Sequence, residues 1–368
     1  MNLHAARVWG LFLGGVALFL ALTLPILAKG GWDPTVFVKF PESFPEFVVY
    51  GEELLGEIRV APEAGHDGKF YFVQAMDPFY LAPDENAIFI DRPTYRAQRM
   101  LYPTLAGAAG LAGPWATVWA LYGLNIVLIG LGCVVTGMVA KQLGASELFG
   151  LGFGVNLGML SAGLVDTAEI LGFALLMLGL YLCLRQSWKW MTVALTLSVL
   201  ARETMLAGVV GIAVYLLMTR RRIPRHLVWA IVLPLAWFAY LQVRIGYLPG
   251  YDDTASTLGL PLFGFVEAFG EWISEPVQFA NLATGVIFMA LAVLFVVRVV
   301  RKRDILTSVG APFFFVALLM SVVVWRQAFD SSRALAPLMT LYILSIPLKR
   351  SHALNEHQEQ TAPCGEHS

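Results

Sequence analysis

Residues 190–218, WMTVALTLSVLARETMLAGVVGIAVYLLM, decide how the chain is arranged, because the run reads either as one long helix or as two short ones. One continuous helix would bury Arg202 and Glu203 near the centre of a bilayer and send Arg220-Arg221-Arg222 to the side where basic residues are disfavoured. Residues 190–201 alone make roughly 18 Å of helix, too little to cross unaided. Two short helices, or a re-entrant pair, meeting at Arg202-Glu203 are therefore expected. Their charges would face an outer cavity, where irregular backbone at membrane depth is tolerated.

Further apolar runs occupy residues 8–28, 115–140, 148–165, 168–184, 227–243, 282–297, 306–324 and 334–348. With 58% hydrophobic and only 14% charged residues, and a mean hydropathy of +0.68, the 368-residue chain reads as an all-α polytopic membrane protein. About ten transmembrane or re-entrant helices are expected. Arg7 precedes the first run, and no small-x-small cleavage site stands before Lys29-Gly30-Gly31, so residues 1–28 read as a retained helix. Residues 29–114 form a large extracytoplasmic loop rich in proline, with interfacial helices. Residues 115–348 are the helical bundle, and 349–368 a polar, disordered cytoplasmic tail.

Charge sets the orientation. With the amino terminus in the cytoplasm, Arg7, Lys141, Arg185, Lys189, Arg220, Arg221, Arg222, Arg225, Arg298, Arg301, Lys302, Arg303, Lys349 and Arg350 share one side, against Arg202, Arg244, Arg326 and Arg333 in the short loops opposite. Both termini are then cytoplasmic and the membrane is the cell's inner, plasma membrane. The net charge of -1 gives no reason to expect nucleic acid. Cys133, Cys183 and Cys364 offer no disulfide framework. Residues 244–281 make a last outer loop with Tyr247, Tyr251, Asp252, Asp253 and an amphipathic piece at 262–273.

Ionisable and phenolic groups concentrate in the first loop. His66-Asp67-Gly68-Lys69-Phe70-Tyr71-Phe72 leads towards Asp77-Pro78, and two helical turns here would put Asp67, Tyr71 and Gln74 on one face, with Asp67 as N-cap. Arg92, Arg96 and Arg99 recur at i, i+4, i+7 after Pro93, so one helix face would carry three guanidinium groups, with Tyr95 and Tyr102 alongside. Such a face suits phosphate oxygens or headgroup anchoring. Asp166 and Glu169 follow a glycine-rich run at 149–163, and Asp330-Ser331-Ser332-Arg333 begins the last apolar run, both on the outer side. Arg202-Glu203 and the Asp330/Arg333 pair, each taken alone, are better explained by helix register than by chemistry, and their place on the same side as Asp67 shifts the balance towards chemistry. No His/Cys metal spacing, phosphate-cradling glycine loop or nucleophile triad is present.

From Asp67-Gly68-Lys69-Phe70-Tyr71 the chain resembles the GT-C superfamily of polyprenyl-phosphate-dependent glycosyltransferases, whose first outer loop carries an Asp followed by Gly or Ala and aromatic residues. Arg92-Pro93-Thr94-Tyr95-Arg96-Ala97-Gln98-Arg99-Met100-Leu101-Tyr102-Pro103, Ala201-Arg202-Glu203-Thr204 and Ser332-Arg333-Ala334-Leu335-Ala336-Pro337 are similar to runs in bacterial multi-spanning, mannosyltransferase-like proteins near that superfamily. The resemblance implies a membrane glycosyltransferase of cell-envelope glycan biosynthesis, with a polyprenyl-phosphate sugar as donor and a glycan, lipid or protein as acceptor. Asp67 matches the catalytic acid. Lys69, Tyr71, Arg92, Arg96, Arg99, Tyr102, Arg202 and Arg333 are the expected donor-phosphate or substrate contacts, and Asp77, Asp166, Glu169 and Glu203 the supporting acids. No cofactor follows from the residues; because a single acid stands where several members have a pair, a divalent cation is left open. A transporter or flippase of a lipid-linked precursor, and a non-catalytic subunit of an envelope assembly complex, are the competing readings.

Overall fold

An apolar run in hydrocarbon must satisfy its own backbone N–H and C=O groups, and a helix does so within one segment. The computed structural model describes residues 3–62, 64–86, 89–220, 222–246, 257–274, 276, 278–301 and 304–346. Most of them are helical, with almost no strand. Tyr247, Tyr251, Asp252, Asp253 and the tail at 349–368 lie outside the described residues.

The long α1 (Leu3–Lys29) leads into a region of short helices: α2 (Thr35–Val38), α3 (Pro45–Leu55), α4 (Gly68–Met76), α5 (Pro83–Asn86), α6 (Pro93–Ala97) and α7 (Leu101–Ala109). A two-residue parallel pairing of β1 (Phe40–Pro41) with β2 (Val60–Ala61) closes its base. The bundle follows as α8 (Pro114–Gln142), α9 (Leu151–Gly154), α10 (Leu157–Gly163), α11 (Glu169–Leu184), α12 (Trp188–Ala201), α13 (Leu206–Arg220) and α14 (Trp229–Ile245). It is completed by α15 (Phe263–Ile273), α16 (Phe279–Arg301), α17 (Ile305–Leu319), α18 (Val322–Trp325) and α19 (Ala328–Ser345).

Among the described residues, four helices are long and apolar enough to cross a membrane: Ala5–Lys29, Pro114–Gln142, Arg225–Ile245 and Phe279–Val300. Glu169–Leu184, Trp188–Ala201, Glu203–Thr219 and Ile305–Leu319 are apolar but shorter. Little of Arg225–Ile245 is buried, so its hydrophobic surface faces outward, as a lipid-facing helix requires and a water-facing one does not tolerate. The amphipathic piece expected near residue 262 is α15, with Ala268 and Trp272 buried and Phe263, Val266, Phe269 and Ile273 exposed.

The ambiguous run at 190–218 is broken where its charges demanded. α12 stops at Ala201, Arg202 is extended, and a 3-10 turn at Glu203–Met205 starts the next helix. By contrast, the expected single helix through Arg92, Arg96, Arg99 and Tyr102 does not form. α6 ends at Ala97 and α7 begins at Leu101. Pro103 explains the break: inside a continuous helix its ring would clash with the carbonyl of Arg99, whereas a new start at Leu101 leaves it in a first turn.

The loop region is stitched to the bundle through its backbone. Trp115 Nε1 donates to the Leu55 carbonyl, Trp237 Nε1 to that of Ala97, and the Tyr240 hydroxyl to that of Phe79, at 2.7–2.9 Å. Arg244 donates to the Tyr80 and Leu81 carbonyls. Inside the bundle, α10 lies directly against α19. Asn156 donates to the Ala336 carbonyl and Thr340 hydroxyl, and a Cβ added at Gly158 would come within 2.1 Å of the Ser332 carbonyl oxygen. Small residues permit this approach, which sets the height of Arg333 one residue further on. Gly158→Val is expected to separate the two helices and cost about 1–3 kcal/mol; a lowered Tm of the detergent-solubilised protein is the readout, and an unchanged Tm would show the contact to be dispensable.

Candidate functional site

The residue after Asp67 must be glycine. A Cβ at Gly68 would lie 2.7–2.8 Å from the carbonyl oxygens of Val165, Val38 and Phe37, so α4 starts wedged between three backbone segments. This fixes Asp67 at the point where the loop meets the bundle. The expected N-cap bond is not made: Asp67 occupies the cap position with helical dihedrals, and its carboxylate binds no amide of α4. Two guanidinium groups take it instead, as stronger, charge-assisted partners.

Arg96 Nη1 donates to Asp67 Oδ1 at 3.0 Å, and both terminal nitrogens of Arg333 reach Asp67 Oδ2 at 3.2 Å. Arg96 is also anchored by Asp91 and lies over the Phe70 ring, 3.8 Å from its centroid. Arg333 extends the network to Glu169 at 3.4 Å and to Asp330 one turn before it. Glu169 in turn pairs with Arg202 at 3.0 Å. Arg99, on the other wall, forms a bidentate pair with Glu203 at 2.8 and 3.0 Å and bonds the Tyr95 hydroxyl. Four guanidinium groups thus meet five carboxylates, those of Asp67, Asp91, Glu169, Glu203 and Asp330.

Access is graded across the network. The Glu169 and Arg99 side chains are each 3% exposed, Asp67 is 21% exposed, and Asp91 at the rim is 49% exposed. Among the buried polar atoms here, Arg333 Nε, Arg202 Nη1, both carboxylate oxygens of Glu169 and the Tyr71 hydroxyl have no hydrogen-bond partner, the last lying within the field of Arg99, Glu169 and Arg202. Donors and acceptors left unpaired side by side mean that the cluster is not closed on itself.

Burial works to raise the Asp67 pKa, but the guanidinium groups of Arg96 and Arg333 outweigh it and hold the carboxyl well below the usual carboxylate range. His66 is a neighbour that the sequence reading left off the site. Its Nδ1 accepts the Asp67 N–H at 2.8 Å, so its proton sits on Nε2, 3.6 Å from Asp330. Burial lowers its pKa below 6.5, against the opposing pull of the Asp67 carboxylate. Asp91 is also absent from the expected site, and Asp330 and Tyr95 enter the sequence reading only as a helix-end acid and a flanking phenol. Their spacing of three to five residues from Arg333, Arg96 and Arg99 is the local signal that finds them.

Several expected site residues lie elsewhere or pair differently. Arg202 and Glu203 do not pair with each other: Arg202 turns to Glu169 and Glu203 to Arg99. Of the three guanidinium groups expected on one face, Arg96 and Arg99 enter the cluster, while Arg92 stands half-buried at the N-cap of α6. Lys69 points away, its ammonium donating to the Ala64 carbonyl and sitting over the rings of Phe44, Phe47 and Phe70. Asp77 is no supporting acid; its carboxylate accepts from the amides of Leu81 and Ala82 and holds a turn. Tyr102 donates to the Leu121 carbonyl and accepts from Asn125, which also holds Asp166, so both lie in a buried layer beneath the cluster. Among the described residues no group of three or more His, Cys, Asp or Glu side chains is placed to hold a metal ion. The chain matches no protein-family model, no curated protein and no solved structure.

Both lowered pKa values act with the same sign. A group that binds its proton less tightly when folded supports stability above its unfolded pKa and loses that support as pH falls towards the folded value. For His66 the loss begins near 6.5, and for Asp67 near 3.8. The Tm of the wild type is therefore expected to decline as pH drops from 7 to 5, and His66→Gln to flatten that decline; an unaltered slope would assign the titration to another group.

Proposed function

We propose that this chain is a membrane glycosyltransferase that moves a sugar from a polyprenyl-phosphate donor to an acceptor outside the cytoplasm. In this reading the chain crosses the plasma membrane about ten times, shorter helices included. Its termini lie in the cytoplasm and the Asp67 cluster at the outer leaflet. What supports it most is Asp67 held between Arg96 and Arg333 at the end of an apolar bundle. A carboxylate and two convergent guanidinium groups are what transfer from a lipid phosphate needs.

Next to this cluster an apolar groove of about 530 Å³ is lined by Phe79, Leu81, Met100, Leu200, Leu233 and Trp237. Met100 follows Arg99 directly, so a phosphate on the cluster leaves its isoprenoid tail at the mouth of the groove. The tail stays in apolar surroundings while the sugar reaches water.

The acceptor's hydroxyl oxygen attacks the anomeric carbon as the carbon–oxygen bond to the phosphate breaks. The bonding electrons leave with polyprenyl phosphate, and the hydroxyl proton passes to Asp67. Single displacement inverts the anomeric configuration. Held by two guanidinium groups, Asp67 is a weak base. The donor phosphate competes for those same groups, and as they turn to it the carboxylate regains ordinary basicity. Arg96 and Arg333 then stabilise the charge that builds on the leaving phosphate, the kind of interaction that contributes most in such reactions.

The completeness of the ion pairing also favours a second reading, in which the cluster only locks helices in register in a non-catalytic subunit. Activity separates the two. Asp67→Asn, with normal membrane insertion, is expected to lower transfer from a polyprenyl-phosphate sugar in reconstituted vesicles by about 100-fold or more; retained transfer would remove Asp67 as the base. Trp237→Ala is expected to raise KM for a long-chain donor and leave that for a short-chain analogue little changed, and equal effects on both would exclude the groove as the tail site.

A further inference from the structure

The end of the bundle remote from Asp67 carries a second polar site that plays no part in the proposed transfer. It lies one length of α12, roughly 20 Å, from Arg202. There the start of α12 meets the 3-10 turn Arg225–Val228 that leads into α14. Ser187, Trp188, Lys189, Trp190, Arg225 and His226 line a cavity of about 450 Å³ between them.

Its charge is unbalanced. From residue 170 to residue 251 the sequence contains a single acid, Glu203, and that one is committed to Arg99 at the other end of the bundle. Lys189 and Arg225 are exposed, and neither has an ion-pair or hydrogen-bond partner among the described residues. The first turn of α12 adds backbone N–H groups that no side chain caps. Every feature of this wall favours an anion, and nothing in the surrounding sequence supplies one.

The surroundings indicate where the anion comes from. Trp190 is 67% exposed and Trp229, at the start of α14, is exposed as well, placing indoles level with the basic groups as they stand at a membrane interface. One turn into each helix, Val193 and Val232 present exposed apolar side chains. A ligand with a phosphate at one end and acyl chains at the other matches both parts.

We propose that this cavity binds the phosphate-bearing headgroup of an anionic phospholipid, with Lys189 and Arg225 on the phosphate oxygens and the acyl chains along Val193 and Val232. The site holds whether or not the chain transfers sugar. Basic pockets at helix ends bind such headgroups, with each cation contributing about fivefold in affinity.

The full-length protein in a neutral detergent, titrated with phosphatidylglycerol, phosphatidylcholine or inorganic phosphate and followed by native mass spectrometry, tests this. Wild type is expected to retain phosphatidylglycerol in preference to phosphatidylcholine. The double variant Lys189→Gln/Arg225→Gln is expected to bind phosphatidylglycerol about 20-fold more weakly. Inorganic phosphate should not displace the lipid. Equal retention of the two lipids, unchanged affinity in the double variant, or displacement by inorganic phosphate would each overturn the proposal. Should the double variant not fold, the lipid preference of the wild type and the single variant Lys189→Gln decide it.

Discussion

A carboxylate at the edge of an apolar bundle has to be neutralised, and the contact of Asp67 with Arg96 and Arg333 does this across 266 positions of sequence. One guanidinium comes from the loop and the other from the last helix. The pairing therefore decides how the short helices of residues 29–114 sit on the bundle. Removing one partner of such a pair leaves the other charge stranded, which costs about 3–5 kcal/mol when buried. The rest of the network repeats the same rule: Glu169 draws Arg202 and Arg333 together, and Glu203 draws Arg99 down from the loop.

An arrangement of this kind is both a brace and a binding surface. Its deepest members, Glu169 and Arg99, are closed off from water and hold helix ends in place. Its outer members face partly into solvent and bind through groups that another anion can claim. Stability and ligand capture thus use the same guanidinium groups, and a phosphate that takes them must compensate for the contacts it replaces. That is why a low basicity of Asp67 in the ligand-free state is compatible with a role as proton acceptor.

Much of the architecture is legible in the sequence. The break at Arg202-Glu203 follows from the cost of burying charge, and the short helices of residues 29–114 follow from their prolines. The convergence of Asp67, Arg202 and Arg333 on one region also followed from the parity of the helices. Partner choice did not. Neighbours in sequence such as Arg202 and Glu203 point to different elements because the extended backbone at Arg202 turns successive side chains apart. Periodicity misplaced Arg92 because Pro93 keeps the residue before it out of helical dihedrals, leaving Arg92 as the N-cap of α6. Lys69 and Asp77 drew attention by charge alone, yet one covers aromatic rings and the other stabilises a turn. Composition marks that charges are present; only packing tells which of them are already spoken for.

The grip of α14 on the loop has a mechanical corollary. Trp237 and Tyr240, on adjacent turns, hold the Ala97 and Phe79 carbonyls, and Arg244 holds the strand of backbone just beyond. The loop side of the apolar groove is thereby tethered to one helix whose apolar surface is largely exposed. Phe79 and Leu81 therefore follow α14 if it tilts, while Leu200 belongs to α12, so the angle between α12 and α14 sets the width of the groove.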